Sequence, residues 1–248
     1  VGDFNGDDYD DLAVGSPNEA VGDIRCGMVS VFYGSEYGLL NGVYYHQNVL
    51  NPAIPSDNEA GDQFGYSLVA GDFDADGMAD LAIGAPGETV GAIKSGAVYV
   101  LFGAEEGFSS AKLVTQSNTT LVGGGDLGAE EADDRFGFAL AAGDFNGTGG
   151  QDLAIGAPGE EVQTDKAGMV FIAYGKVGGA EALTTGMRLD QNTNSTGSNK
   201  NADDEEFGYA LAAGRINNDA FSDLVVGAPQ DEASSVDPVS KAGSVWVF

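Results

Sequence analysis

Apolar residues occur along this chain in short bursts separated by polar, glycine-rich stretches. LAIGAP at 81–86, GAVYVLFG at 96–103 and GMVFIAYG at 168–175 are rich in β-branched and aromatic residues and bounded by Gly or Pro. That pattern predicts strands, because an amphipathic helix needs a longer run with helical spacing. Within GAVYVLFG the residues of both parities are apolar, so both faces of that strand are predicted to be covered. The chain reads as all-β.

The bursts recur in a fixed order, four times over. One phrase reads VGDFNGDDYDDLAVGSP, then AGDFDADGMADLAIGAP, then AGDFNGTGGQDLAIGAP, then AGRINNDAFSDLVVGAP, with its first loop position at Asp3, Asp72, Asp144 and Arg215. Upstream of the later three copies stands a Phe-Gly phrase, beginning at Phe64, Phe136 and Phe207. Downstream of all four comes a small-then-apolar phrase, beginning at Gly27, Gly96, Gly168 and Gly243. Each unit therefore predicts a Phe-Gly strand, an acidic loop, a DLAIGAP strand, a GxVxVF strand, and a weak fourth strand with a long loop. Small sheets covered on both faces by their neighbours around an axis make a β-propeller. Gly84 and Ala85 permit close approach of adjacent sheets, Pro86 ends a strand, and Phe64, Phe136 and Phe207 are predicted to pack between blades.

Phe-Gly followed by Gly-Ala-Pro, with an acidic loop between, resembles the FG-GAP repeat of integrin α-subunit propellers. The same repeat occurs in bacterial secreted proteins and in a glycosylphosphatidylinositol-specific phospholipase D. The resemblance covers essentially the whole chain. It implies four-stranded blades, and for integrin-like members a ring of seven. Residues 1–248 are read as one propeller segment, with units at about 1–63, 64–135, 136–206 and 207–248, the first and last incomplete. The expectation is a piece of a larger ring, about three and a half to four blades, with the remaining blades elsewhere in the full-length chain.

The acidic loops carry the candidate chemistry. Asp72, Asp74, Asp76 and Asp80 occupy positions one, three, five and nine of the second copy, with the Met78 carbonyl at seven and Gly77 placed to let the chain bend back. Four carboxylates on alternate positions repel one another unless a cation sits among them. Hard oxygen donors in that number suit Ca²⁺ rather than Zn²⁺ or Mg²⁺. An EF-hand is excluded, because position twelve is Ile83 inside a strand. The loop resembles the nine-residue calcium loops of integrin propellers. Copy one offers Asp3, Asn5, Asp7, the Tyr9 carbonyl and Asp11; copy three offers Asp144, Asn146, Thr148, the Gly150 carbonyl and Asp152. Copy four keeps Asn217, Asp219 and Asp223 but begins with Arg215. Charge ranks the sites two, one, three, four. Arg215 is expected to replace part of the cation's work by bridging Asp219 and Asp223.

Composition narrows the rest. A net charge of −29 disfavours nucleic-acid partners, which need clustered Lys and Arg. One cysteine, Cys26, excludes an internal disulfide and is read as a small buried residue. No apolar run reaches the length of a membrane span. The lone histidine, His46, has no partners for zinc and no serine-based catalytic set around it, so the segment is read as non-enzymatic. Sequons stand at Asn118, Asn146 and Asn194, the middle one on a predicted calcium ligand. The function expected is an extracellular or cell-surface, calcium-binding propeller for a protein or glycan ligand, in adhesion as in integrin α-subunits. The alternative is a non-catalytic propeller of a secreted enzyme, such as a phospholipase or a polysaccharide-degrading enzyme. Segments 51–63, 122–135 and 190–206 are the variable surfaces, and Tyr44, Tyr45 and His46 are assigned to strand packing ahead of glycan contact.

Overall fold

The short apolar bursts form strands, and these assemble into four successive antiparallel sheets. The computed structural model describes residues 1–50, 54, 57–116, 130–162, 166–176, 183–193, 204–231 and 242–248. The first sheet begins with β1 (Leu12–Ser16); a small hairpin of β2 (Ala20–Val21) and β3 (Ile24–Arg25) leads to β4 (Met28–Phe32) and β5 (Val43–Tyr45). The second has the order β6 (Ser67–Gly71), β7 (Asp80–Ala85), β8 (Ala97–Phe102), β9 (Ser110–Val114). The third has the order β10 (Ala139–Gly143), β11 (Asp152–Ala157), β12 (Met169–Tyr174), β13 (Thr184–Leu189), and the fourth β14 (Ala210–Gly214), β15 (Asp223–Ala228), β16 (Ser244–Val247). Neighbours in sequence are neighbours in each sheet, so every connection within a sheet is a hairpin. The first strands of the last three sheets, β6, β10 and β14, adjoin one another, as the inner strands of propeller blades do; β1, which follows its acidic loop and corresponds to β7, β11 and β15, adjoins β6.

Packing follows the two-faced pattern. In β8, Ala97, Tyr99 and Leu101 cluster with Val29 and Val31 of the first blade. The intervening Val98, Val100 and Phe102 cluster with Phe136, Leu153 and Phe171 of the third. A fully buried side chain of this kind stabilises the fold by about 1.5–3 kcal/mol. The same positions of β16 differ: Val245 and Val247 are 69% and 53% exposed, against 0% for Val98 and Val100, because no described sheet lies beyond the fourth.

The Phe-Gly and Gly-Ala-Pro phrases touch across each blade junction. The Phe64, Phe136 and Phe207 rings are 0–1% exposed and lie near Tyr99, Phe171 and Trp246 respectively. Each Phe N–H donates to the preceding blade, to the carbonyls of Cys26, Ser95 and Ala167, all at 2.8 Å. The glycine that follows, Gly65 or Gly137, has φ of +86° or +87°, a conformation other residues rarely adopt. Its carbonyl presses on the Gly-Ala-Pro glycine of the blade before. A Cβ on Gly84 would stand 2.1 Å from the Gly137 carbonyl oxygen, and one on Gly156 2.1 Å from that of Gly208. Cys26 is buried at the first junction, as its sequence surroundings suggest.

Candidate metal centres in the acidic loops

In copy one the acidic loop leads into β1; in copies two to four it joins the first two strands of its blade, and its ninth position starts the second. The aspartate there is buried in every copy: Asp11, Asp80 and Asp152 at 0% exposure and Asp223 at 9%. In the first three copies both carboxylate oxygens accept backbone N–H groups. Asp80 takes Phe73 N–H at 2.8 Å and Gly103 N–H at 2.9 Å. Asp11 takes Phe4 and Gly34, each at 2.8 Å. Asp152 takes Phe145 at 2.8 Å and Gly175 at 2.9 Å. Position nine thus pins the loop to the end of the blade's third strand. Sequence reading missed this role; the signal for it is the glycine placed 23 residues downstream in all three copies.

The second copy brings its acids together as expected for three of the four. Asp72, Asp74 and Asp80 each place one oxygen within 4.8 Å of the others. Asp76 lies outside this trio and accepts the Met78 N–H at 2.8 Å. Asp72 accepts the Asp76 and Gly77 N–H groups, both at 3.1 Å, and Gly77 turns the chain at φ +95°. Among the described residues, none of the other three acidic loops gathers three carboxylates so closely. In copy one Asp3 accepts Gly6 at 2.7 Å and Asp8 at 2.9 Å, while Asp7 accepts Tyr9 at 3.0 Å and Asn5 accepts Asp7 at 3.2 Å. In copy three Asp144 accepts Gly147 at 2.6 Å and Asn146 accepts Thr148 at 2.7 Å. The Asn146 amide donates to Asp152 at 3.0 Å, so a glycan on that nitrogen would break the bond. Asn118 and Asn194 lie outside the described residues.

Copy four corrects the expectation for Arg215. Its Nη2 donates to the Ala220 carbonyl at 3.4 Å and pairs with neither Asp219 nor Asp223; among the described residues the one ion pair is Arg135–Glu206. Asp223 is already served by the Ile216 N–H at 2.7 Å and the Asn217 amide at 2.8 Å. A neutral amide thus serves Asp223, as the Asn146 amide serves Asp152 in copy three, and the Arg215 guanidinium is left exposed. Asp219 instead accepts the Phe221 N–H at 2.9 Å.

The loops are also tied to one another. Position eight of each of the last three donates to the position-one carbonyl of the loop before: Ala79 to Asp3 at 2.8 Å, Gln151 to Asp72 at 2.7 Å, Ser222 to Asp144 at 2.7 Å. An ion held in one loop would thereby stiffen the junction to the next blade.

Burial dominates the electrostatics. It pushes Asp80 up to about 7 despite the Gly103 and Phe73 N–H groups, with Asp74 and Asp72 adding to the rise. Burial likewise raises Asp152 to about 6, and raises Asp74 and Asp11. A bound divalent ion reverses this logic by favouring the ionised form. Without such an ion, the folded chain holds protons on Asp80 and Asp152 that the unfolded chain has lost. The stability this contributes is present below about pH 4 and lost as pH rises towards 7. In chelator the melting temperature is expected to be lower at pH 8 than at pH 5.5, and Ca²⁺ is expected to narrow the gap. Calorimetry at the two pH values checks both; equal melting points in chelator would refute the account.

The rim opposite the loops carries a feature sequence reading did not single out. Tyr66, Phe138 and Tyr209, each just after a Phe-Gly, stack in a row with centroids 4.8 Å apart. The Arg135 guanidinium lies 5.1 Å above the Phe138 ring and reaches Glu206 at 3.1 Å. By contrast, Tyr44 is 58% exposed, Tyr45 packs edge-on against Phe108, and His46 Nδ1 contacts the Asn58 amide at 3.3 Å. No helix among the described residues is long and apolar enough to cross a membrane.

Comparison with known proteins agrees with this architecture. The FG-GAP repeat profile matches residues 1–25, 64–101, 136–172 and 207–248. The chain is 35% identical over 164 residues to phosphatidylinositol-glycan-specific phospholipase D of Bos taurus, covering 63% of this chain and 18% of that protein. It is 31% identical over 245 residues to integrin alpha-PS2 of Drosophila melanogaster, covering 92% and 15%. It is 32% identical over 241 residues to integrin alpha-V of Gallus gallus, covering 92% and 19%. The chain therefore spans less than a fifth of each of these relatives. Four matched repeats, folded as four blades whose Phe-Gly and Gly-Ala-Pro phrases meet at the junctions, make this chain a member of the FG-GAP repeat family.

Proposed function

We propose that this chain is a calcium-binding propeller module that works outside the cell and presents a binding surface for a protein or glycan, in adhesion as its integrin alpha relatives suggest. The observation that carries the reading is the convergence of Asp72, Asp74 and Asp80 in a loop between two strands. The donor set fits Ca²⁺: all oxygen, with a bend at Gly77 that leaves the Met78 carbonyl available as a further ligand. Asp3, Asn5, Asp7, the Tyr9 carbonyl and Asp11 would hold a second ion. Asp144, Asn146, Thr148, the Gly150 carbonyl and Asp152 would hold a weaker third. A bound ion would offset part of the loop's negative charge and stiffen it against the next blade, leaving the opposite rim to meet the ligand. That rim holds the Tyr66, Phe138 and Tyr209 row.

Ca²⁺ at a hundredfold excess over its dissociation constant is expected to add about 2.7 kcal/mol per site. Calorimetry with and without chelator reads this, and Asp74→Asn is expected to remove the share of the second loop. An unchanged melting temperature would remove calcium from the account. A second reading has its own support, the 35% identity to the phospholipase: a propeller accessory to a secreted enzyme. Calcium-dependent attachment of cells or glycans to the immobilised chain is expected on the first reading. Absence of both, with phospholipase activity in the full-length product, would favour the second.

A further inference from the structure

A second acidic cluster lies away from the loops, buried where the second blade meets the third. Glu131, Asp134 and Glu160 each place one carboxylate oxygen within 4.8 Å of the others. Asp134 and Glu160 are 0% exposed, and Gln116, which joins them from the end of the second blade, is 3% exposed. Asp134 Oδ2 accepts the Glu131 N–H at 2.7 Å, and Glu160 Oε2 accepts the Gln116 amide. Three oxygens remain without a hydrogen-bond partner: Asp134 Oδ1, Glu160 Oε1 and Gln116 Oε1. All three accept and none donates when the acids are ionised. A buried acceptor without a partner costs about 1–3 kcal/mol, more when charged, and a cation among the carboxylates would supply the missing partner.

The neighbouring junction shows what this one lacks. There Gln47, Asp62 and Glu88 stand at the corresponding places, and the Gln47 amide donates both to Glu88 and to the Tyr99 hydroxyl, the latter at 3.2 Å. Phe171 occupies the place of Tyr99 in the third blade, so the second cluster lacks the tyrosine hydroxyl that receives the Gln47 amide in the first. Lys166 and Arg188 offset part of its charge, but the one ion pair among the described residues, Arg135–Glu206, does not include Asp134 or Glu160.

We infer that Glu131, Asp134, Glu160 and the Gln116 carbonyl form a cation site of a second kind, inside the blade junction and independent of the acidic loops. Oxygen-only ligands with three carboxylates select a hard divalent ion such as Ca²⁺ or Mn²⁺ over Zn²⁺. The ion would cross-link the end of one blade to the entry and second strand of the next.

The test counts Ca²⁺ ions bound to the full chain by equilibrium dialysis. Glu160→Gln is expected to bind one equivalent fewer than the parent. The paired loop variant Asp72→Asn, Asp74→Asn is expected to lose a different equivalent, and the triple variant to lose two. If Glu160→Gln folds and binds as many ions as the parent, the cluster holds protons and the inference is overturned. If the variant does not fold, crystals of the unaltered chain soaked in Mn²⁺ decide. An anomalous peak between Asp134 and Glu160 supports the site; peaks at the acidic loops alone overturn it. Loss of binding at the loops with retention at Glu160 would instead refute the loop reading and leave this one standing.

Discussion

Replacing Gly156 with alanine is expected to destabilise the chain by at least about 3 kcal/mol, and the same change at Gly227 by less than about 1. The two glycines occupy the same place in the Gly-Ala-Pro phrase of successive blades. At Gly156 the new methyl would stand 2.1 Å from the Gly208 carbonyl oxygen and 3.1 Å from its carbon. A backbone carbonyl cannot swing aside as a long side chain can, so the third and fourth blades would have to part. The Phe207 N–H bond to Ala167, at 2.8 Å, and the burial of the Phe207 ring would be lost with the contact. At Gly227 the nearest atom is the Ala210 methyl of the same blade, at 3.5 Å, an ordinary contact. Alanine there also restricts the unfolded chain more than glycine does. Urea denaturation of the two variants reads the difference directly. Equal losses would mean that the close approach of blades is not what demands glycine.

This pair illustrates which parts of the molecule the sequence could show. Four copies of one unit made the blades readable, because each copy repeated the same strand order and the same apolar faces. The gathering of acids in the second loop was readable for the same reason: alternate positions project to one side, and Asp72, Asp74 and Asp80 do converge. What was not readable depends on partners brought near only by folding. Asp80 meets Gly103 across a hairpin, 23 residues away, and nothing in the local pattern marks that bond. Arg215 was read from charge alone, yet charge does not say that Asp223 is already satisfied by Ile216 and Asn217. The Gln116, Asp134 and Glu160 cluster draws on three separate stretches and becomes visible only when the junctions are compared.

Asp80→Ala is expected to cost about 3–6 kcal/mol even in chelator, more than loss of a metal ligand alone would explain. The change leaves two buried N–H groups, of Phe73 and Gly103, with no acceptor, each worth about 1–3 kcal/mol. It also unpins the loop from the third strand, and with it the Gln151 bond to the Asp72 carbonyl at 2.7 Å that leads to the next blade. Asp80→Asn separates the two roles. Its amide oxygen can still accept one N–H, while its NH₂ faces the other as a second donor, so an intermediate loss of about 1–3 kcal/mol is expected. Calcium affinity at this loop is expected to fall for both substitutions, because both remove a charge from the Asp72, Asp74 and Asp80 trio. The comparison with Asp74→Asn completes the argument. Among the described residues Asp74 accepts one backbone N–H, that of Asp76 at 3.2 Å within the loop, so its loss should weaken calcium binding with little change in chelator. Denaturation of the three variants with Ca²⁺ and with chelator gives six stabilities. If Asp80→Ala and Asp74→Asn are equally stable in chelator, position nine is a ligand and nothing more.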